Sequence, residues 1–210
     1  MLQQLGLFAA LAGLAAPAPA ARVQDDAAAH DAEKPPTGQV GEKMPAFKAK
    51  VVRGEKSFDF DSTKVDKLTV YLLVGATCSA TKPYAERLCI LEAKYMPKGV
   101  DFVYLYVNAD RVNSESRAEK LKFHKECRFT GAFLDDGDSA IAKKLAATKT
   151  GEALVVDKEG KVRYRGGIDD NLTDPARVKV LYLARALDEV LAGKPVTTTS
   201  GKVFGCDIKM

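Results

Sequence analysis

KLTVYLLVGATCSATKPYAERL, residues 67–88, decides how this chain is read. Its first eight residues are an apolar run whose length and β-branched content predict a buried strand. Beyond it, Tyr84, Leu88, Leu91 and Tyr95 recur at helical spacing, which predicts a helix from Ser79 to Met96. Gly99 follows as a helix stop. Cys78 sits where the strand turns into the helix. A cysteine there either does chemistry or fills a small apolar space.

Working outward, the pattern keeps alternating. VDFVYLYVNA (100–109) is a second apolar strand. SESRAEKLKFHKEC (114–127) is a polar helix with Ser114 as its N-cap, and SAIAKKLAA (139–147) is a short helix. EALVVD (152–157) and KVRYRGG (161–167) are strands joined by a tight connection, so they should be antiparallel. A last helix begins near Asn171 or Thr173, presents Val178, Leu181, Leu183, Ala184, Leu187 and Leu191 on one face, and ends at Gly193. Upstream, VRGEKSFDFD (52–61) reads as an added hairpin. The first two long strands are separated by a helix and should be parallel. The expected architecture is α/β: a three-layer thioredoxin-like fold, a mixed central sheet flanked by helices.

The N-terminus has another character. MLQQLGLFAALAGLAAPAPA (1–20) carries no charged side chain. Its apolar core is too short to span a bilayer, and Ala18-Pro19-Ala20 offers the small-x-small pattern of a cleavage site. Residues 1–20 are therefore expected to be a signal peptide, with export to the periplasm or beyond and no stable membrane insertion after cleavage; an uncleaved anchor is the rival reading. Residues 21–40, rich in Ala, Asp and Pro, read as a flexible linker in which His30 is simply solvated. The domain is expected over 41–193 and a tail over 194–210. A net charge of +4 with interleaved signs forms no basic stripe, so no nucleic-acid face is expected. Oligomeric state is left open.

From about Val40 onward the chain resembles the redoxin branch of the thioredoxin superfamily, grouped with alkyl hydroperoxide reductase/thiol-specific antioxidant proteins. The resemblance is carried by VGEKMPAFKA, TCSATKPYAERL, ATKTGEALVVDKEGKVRYRGGIDDN and the ending LAGKPVTTTSGKVFGCDIKM. It implies a thiol-disulfide oxidoreductase or antioxidant-type protein with Cys78 as nucleophile at a helix N-terminus. There the macrodipole and first-turn N–H groups favour a thiolate. Thr77, Lys82, Gly151 and Arg165 are the expected supporting residues. The partner would be a thiol- or disulfide-containing protein or a small oxidant. No organic cofactor and no metal is implied.

The chain also departs from the family. Thr81 stands where Cys-x-x-Cys would place a second thiol. Ser79 follows Cys78 where many members have Pro. Thr150-Gly151-Glu152 replaces Thr-Pro-Glu. The peroxiredoxin pattern Pro-x-x-x-Thr-x-x-Cys fails at Tyr71 and Gly75, and a copper-binding Cys-x-x-x-Cys-Pro fails at Lys82. These losses motivate an alternative, a binding or structural module without turnover.

Cys206 lies in the tail, which is long enough to reach Cys78 from most of the surface, since an extended chain spans about 3.4 Å per residue. It reads as a resolving partner, as a static clamp or as a free thiol. Cys89 is expected to fill core space, and Cys127 to be inert or paired. Tyr84 is expected in the core. Arg163 and Arg165 share a strand face, either flanking the cysteine or solvated, and Asp169 and Asp170 are expected to start the last helix.

Overall fold

The computed structural model describes residues 38–108 and 116–209. The segment expected as a signal peptide, the expected linker up to residue 37, His30 and Ser114 lie outside the described residues.

A seven-stranded mixed sheet runs in the order β2-β1-β5-β4-β3-β6-β7. The hairpin β1 (Lys48–Arg53) and β2 (Lys56–Asp61) forms one edge. The centre is β3 (Thr69–Val74) paired in parallel with β4 (Asp101–Val107), as the crossover helix requires. Both strands are buried almost throughout, which explains their unbroken apolar runs. β6 (Ala153–Val156) and β7 (Val162–Gly166) add antiparallel on the other side of β3.

The fifth strand, β5 (Ala132–Asp136), is absent from the sequence reading. It pairs with β4 in parallel and with β1 antiparallel, joining the hairpin to the sheet. AFLDD is five residues long, ends in two acids and lies between Gly131 and Gly137, so turn signals outweigh its short apolar run.

Helices cover both faces. α1 (Thr81–Tyr95) buries Tyr84, Leu88, Leu91 and Tyr95 on one face, beside Leu183 and Leu187 of α4 (Tyr182–Leu191). Each buried leucine contributes about 1.5–3 kcal/mol. α2 (Arg117–Glu126) packs half-buried Leu121 and Phe123 on the same face. Its cap is Ser116, two residues beyond the expected Ser114, in a reciprocal capping box with Glu119. α3 (Ala140–Lys144) covers the other face with Ile141 and Leu145, alongside Phe47 and Ile208.

α4 starts later than its sequence suggests. The Asn171 side chain accepts the N–H groups of Thr173 and Asp174, and the Asp174 side chain accepts that of Ala176. These local bonds stabilise turns instead of a helix. Pro175–Arg177 forms a single 3-10 turn, and Leu181, placed by the sequence on the apolar face, is exposed.

Asp169 is no helix start either. It is fully buried and accepts hydrogen bonds from Tyr84 Oη at 3.2 Å, Arg87 Nη1 at 2.6 Å and the Asn171 N–H at 3.0 Å. Tyr84 is in the core as expected, with the Arg87 guanidinium 4.4 Å from its ring centroid. Asp170 instead accepts the Lys179 N–H ahead of α4.

No helix among the described residues is long and apolar enough to cross a membrane.

Candidate functional site

Cys78 lies in the turn between β3 and α1, which backbone bonds hold tightly. Its N–H donates to the Gly75 carbonyl at 3.2 Å, and its carbonyl accepts the Thr81 N–H at 3.0 Å. The α1 N-cap residue, Ala80, has no capping side chain. Its N–H points at Cys78 Sγ, 3.4 Å away. The sulfur therefore receives a donor that a helix start otherwise leaves unsatisfied. Cys78 is 4% exposed.

Cys78 is bonded to Cys206, with Cα atoms 5.9 Å apart across 128 residues of sequence. Of the three sequence readings of Cys206, the free thiol is excluded. The two sulfurs meet beside Thr150. Its Oγ1 is 3.0 Å from Cys78 Sγ and accepts the Cys206 N–H at 2.8 Å. Thr150 is completely buried and was not singled out from sequence. The only signal for it was its place before Gly151.

Gly151 has φ +75, and its N–H donates to the Leu73 carbonyl at 2.7 Å. Proline, which the family pattern puts here, has no N–H and is fixed near φ −65. A Cβ at this position would also run into the Phe204 carbonyl. The substitution of glycine thus belongs with the path of the tail.

The other expected residues are dispersed. Arg165 is 8% exposed, so a solvated face is wrong for it. Its guanidinium makes two bonds to Glu152, at 2.8 and 3.1 Å, and donates to the Ala146 and Gly38 carbonyls. It braces both ends of the loop that carries Thr150 and Gly151. Arg163 pairs with Asp157 at 3.2 Å. Thr77 is exposed, in a shallow hollow with Glu119, Lys122 and Phe123 of α2. Lys82 is exposed, and its charge is felt at Cys127.

Cys89 and Cys127 are free and half-buried, and Cys89 Sγ donates to the Cys127 carbonyl at 3.2 Å. Burial pushes both thiols up, Cys127 to about 11. Among the described residues, no group of three or more His, Cys, Asp or Glu side chains is placed to hold a metal ion.

A mixed sheet between helical layers, with a disulfide at the strand-to-helix turn, defines a thioredoxin-like fold. The Redoxin family model matches residues 39–181, and the chain belongs to that family. The match ends before the tail and Cys206. Among solved structures, an uncharacterized conserved protein from Geobacillus kaustophilus is 28% identical, with a TM-score of 0.71, covering 85% of this chain and 94% of its own. A hypothetical protein from Sinorhizobium meliloti 1021 is 24% identical, with a TM-score of 0.69 and coverage of 81% and 94%. DsbF of MTB, solved in mixed oxidized and reduced forms, shares the fold at 18% identity and a TM-score of 0.52, over 69% of this chain and 94% of its own. No curated protein matches the chain in sequence.

Proposed function

We propose that this protein is an exported thiol-disulfide oxidoreductase in which Cys78 is the nucleophile and Cys206 resolves the mixed disulfide. Its substrate is a protein or small molecule carrying a disulfide or thiol. The observation that carries this reading is the Cys78–Cys206 bond beside the Thr150 hydroxyl. It supplies the second thiol that Thr81 does not, and so weakens the case for a module without turnover.

Once the bond is reduced, the Ala80 N–H, the α1 macrodipole and the Thr150 hydroxyl all favour a thiolate on Cys78. The thiolate attacks a substrate disulfide and the leaving sulfur takes the electron pair. Cys206 then attacks Cys78 Sγ, which releases the second substrate thiol. Export fits this cycle, because disulfides persist outside the cytosol. A compartment with a strong thiol pool would keep the pair open.

The test is thiol mapping by alkylation and mass spectrometry, before and after mild reduction, with the Cys78 alkylation rate followed against pH. A reducible Cys78–Cys206 bond and a Cys78 that reacts well below pH 8.5 are expected. A reduced Cys78 that alkylates no faster than an ordinary thiol would sink the proposal.

A further inference from the structure

The C-terminal tail has a defined course. It first crosses β7, where the Arg165 N–H donates to the Thr199 carbonyl at 3.0 Å and the Gly167 N–H to the Gly201 carbonyl at 3.1 Å. It then runs antiparallel to residues 148–150. The Thr150 N–H donates to the Cys206 carbonyl at 2.9 Å, and the Ile208 N–H donates to the Thr148 carbonyl at 2.8 Å. Between those two bonds, Lys149 and Asp207 face each other as bridge partners. This is a short piece of β-ladder, and it brings Cys206 onto Cys78.

The ladder has side-chain requirements. At position 205 a Cβ would overlap the Thr150 carbonyl, so only glycine fits before the cysteine. After the cysteine, the Asp207 carboxylate lies 2.8 Å from Lys149 Nζ. One residue further on, Ile208 is 7% exposed and sits in the apolar cluster with Phe47, Ile141 and Leu145. Pairing to backbone groups and filling one apolar seat is how an extended peptide binds an open strand edge. None of these contacts needs the peptide to be covalently part of the domain.

We infer that the tail is a tethered mimic of the substrate. The strip Thr148–Gly151 receives an extended peptide whose order is glycine, cysteine, acidic residue, aliphatic residue. This rests on the proposed role of Cys78 and names the substrate class for it. With the protein as dithiol, the tail lifts and the peptide pairs in its place. The Cys78 thiolate attacks the peptide cysteine of a substrate disulfide. That bond breaks, and the departing sulfur takes the electron pair and a proton. The tail then competes for the strip. Cys206 attacks Cys78 Sγ, and the peptide leaves as a thiol. The substrate disulfide has gained two electrons and two protons, and the protein dithiol has become Cys78–Cys206. An external dithiol reductant reverses that last change.

The experiment uses the full chain carrying Cys206→Ser, so that reaction stops at the Cys78–peptide disulfide. The probes are thionitrobenzoate disulfides of the hexapeptide Phe-Gly-Cys-Asp-Ile-Lys, of the same peptide with alanine for glycine, and of one with serine for isoleucine. Release of thionitrobenzoate gives the rate, and the protein mass confirms the adduct. The parent peptide should react about tenfold or more faster than either variant, as loss of one buried aliphatic side chain or one steric clash predicts. Rates within twofold of each other, alongside rapid reaction with Ellman's reagent, would overturn this inference and leave the role of Cys78 standing. Failure to react even with Ellman's reagent would overturn both. A second variant, Ile208→Ser added to Cys206→Ser, should raise the parent peptide's rate several-fold by loosening the competing tail. An unchanged rate there speaks against competition.

Discussion

The Thr150 hydroxyl lies 3.0 Å from Cys78 Sγ and at the same time holds the Cys206 N–H at 2.8 Å. One side chain thus touches both halves of the disulfide. In the reduced protein it becomes a donor to the Cys78 thiolate. A hydrogen bond to a charged group contributes about 1.5–3 kcal/mol, or roughly one to two pKa units. Thr150→Val should therefore move the Cys78 alkylation profile up by about one unit, and Thr150→Ser should restore it. Superimposable profiles for the wild type and the valine variant would show that the hydroxyl does not act on the sulfur.

Cys89 and Cys127 should behave as bystanders. Burial raises both thiols. For Cys127, at about 11, the thiolate fraction at pH 7 is on the order of one in ten thousand. Iodoacetamide applied to the reduced protein at pH 7 should label Cys78 first and these two only slowly. Peptide mapping over a time course reads the order directly, and early modification of Cys127 would contradict its burial.

The Arg87–Asp169 pair holds the end of the β7 connection against α1. Asp169 is fully exclusive of solvent, and Arg87 is its only charged partner among the described contacts at 2.6 Å. Removing one partner of a buried pair costs about 3–5 kcal/mol, because the other charge stays buried. Arg87→Ala should lower the unfolding free energy by that amount in a urea titration. Adding Asp169→Asn should recover part of it, and no recovery would mean that packing, not charge, was lost.

His124 gives the fold a pH dependence. It sits among Tyr104, Tyr106, Phe129 and Phe133, and desolvation pulls it down from 6.5 to about 4. As pH falls below 6.5, the unfolded chain takes up this proton first. The stability due to neutral His124 is complete above that value and is lost on the way down to about 4. Between pH 7 and pH 5 the loss is about 2 kcal/mol. His124→Phe should flatten that part of the stability profile relative to wild type. An equal slope in the two proteins would assign it to the carboxylates instead.

The parts of the fold legible in sequence were those whose signal is local. β3 and β4 are continuous apolar runs, α1 has a clean stripe, and the position of Cys78 at their junction followed directly. β5 was missed because its stability comes from two neighbours, β1 and β4, and hardly from its own five residues. α4 was drawn too long because Asn171 and Asp174 divert the backbone, which apolar periodicity does not register. Of the residues expected at the site, Cys78, Cys206 and Gly151 lie together in the structure. Thr77 and Lys82 were chosen for nearness in sequence, and both are exposed. Thr150 lies 72 residues from Cys78, and its place before Gly151 in sequence does not reveal that Gly151 pairs with Leu73 and Cys206 with Thr150.

The tail's course over β7 also bears on how the molecule meets copies of itself. A sheet exposes unpaired backbone at both margins, and such margins invite edge-to-edge association. Here the β2 margin carries Lys56, Asp59 and Asp61 among Ser57, Phe58 and Phe60, and its charges discourage stacking. The β7 margin is covered at two places: Val162 pairs with Gly41 and Glu42, and the N–H groups of Arg165 and Gly167 are occupied by the tail. The Cys78–Cys206 bond tethers the far end of the same tail that covers this half of the edge. Lifting the tail would leave the N–H groups of Arg165 and Gly167 unpaired while Val162 kept its partners at Gly41 and Glu42, so a displaced tail would expose only the second half of this edge.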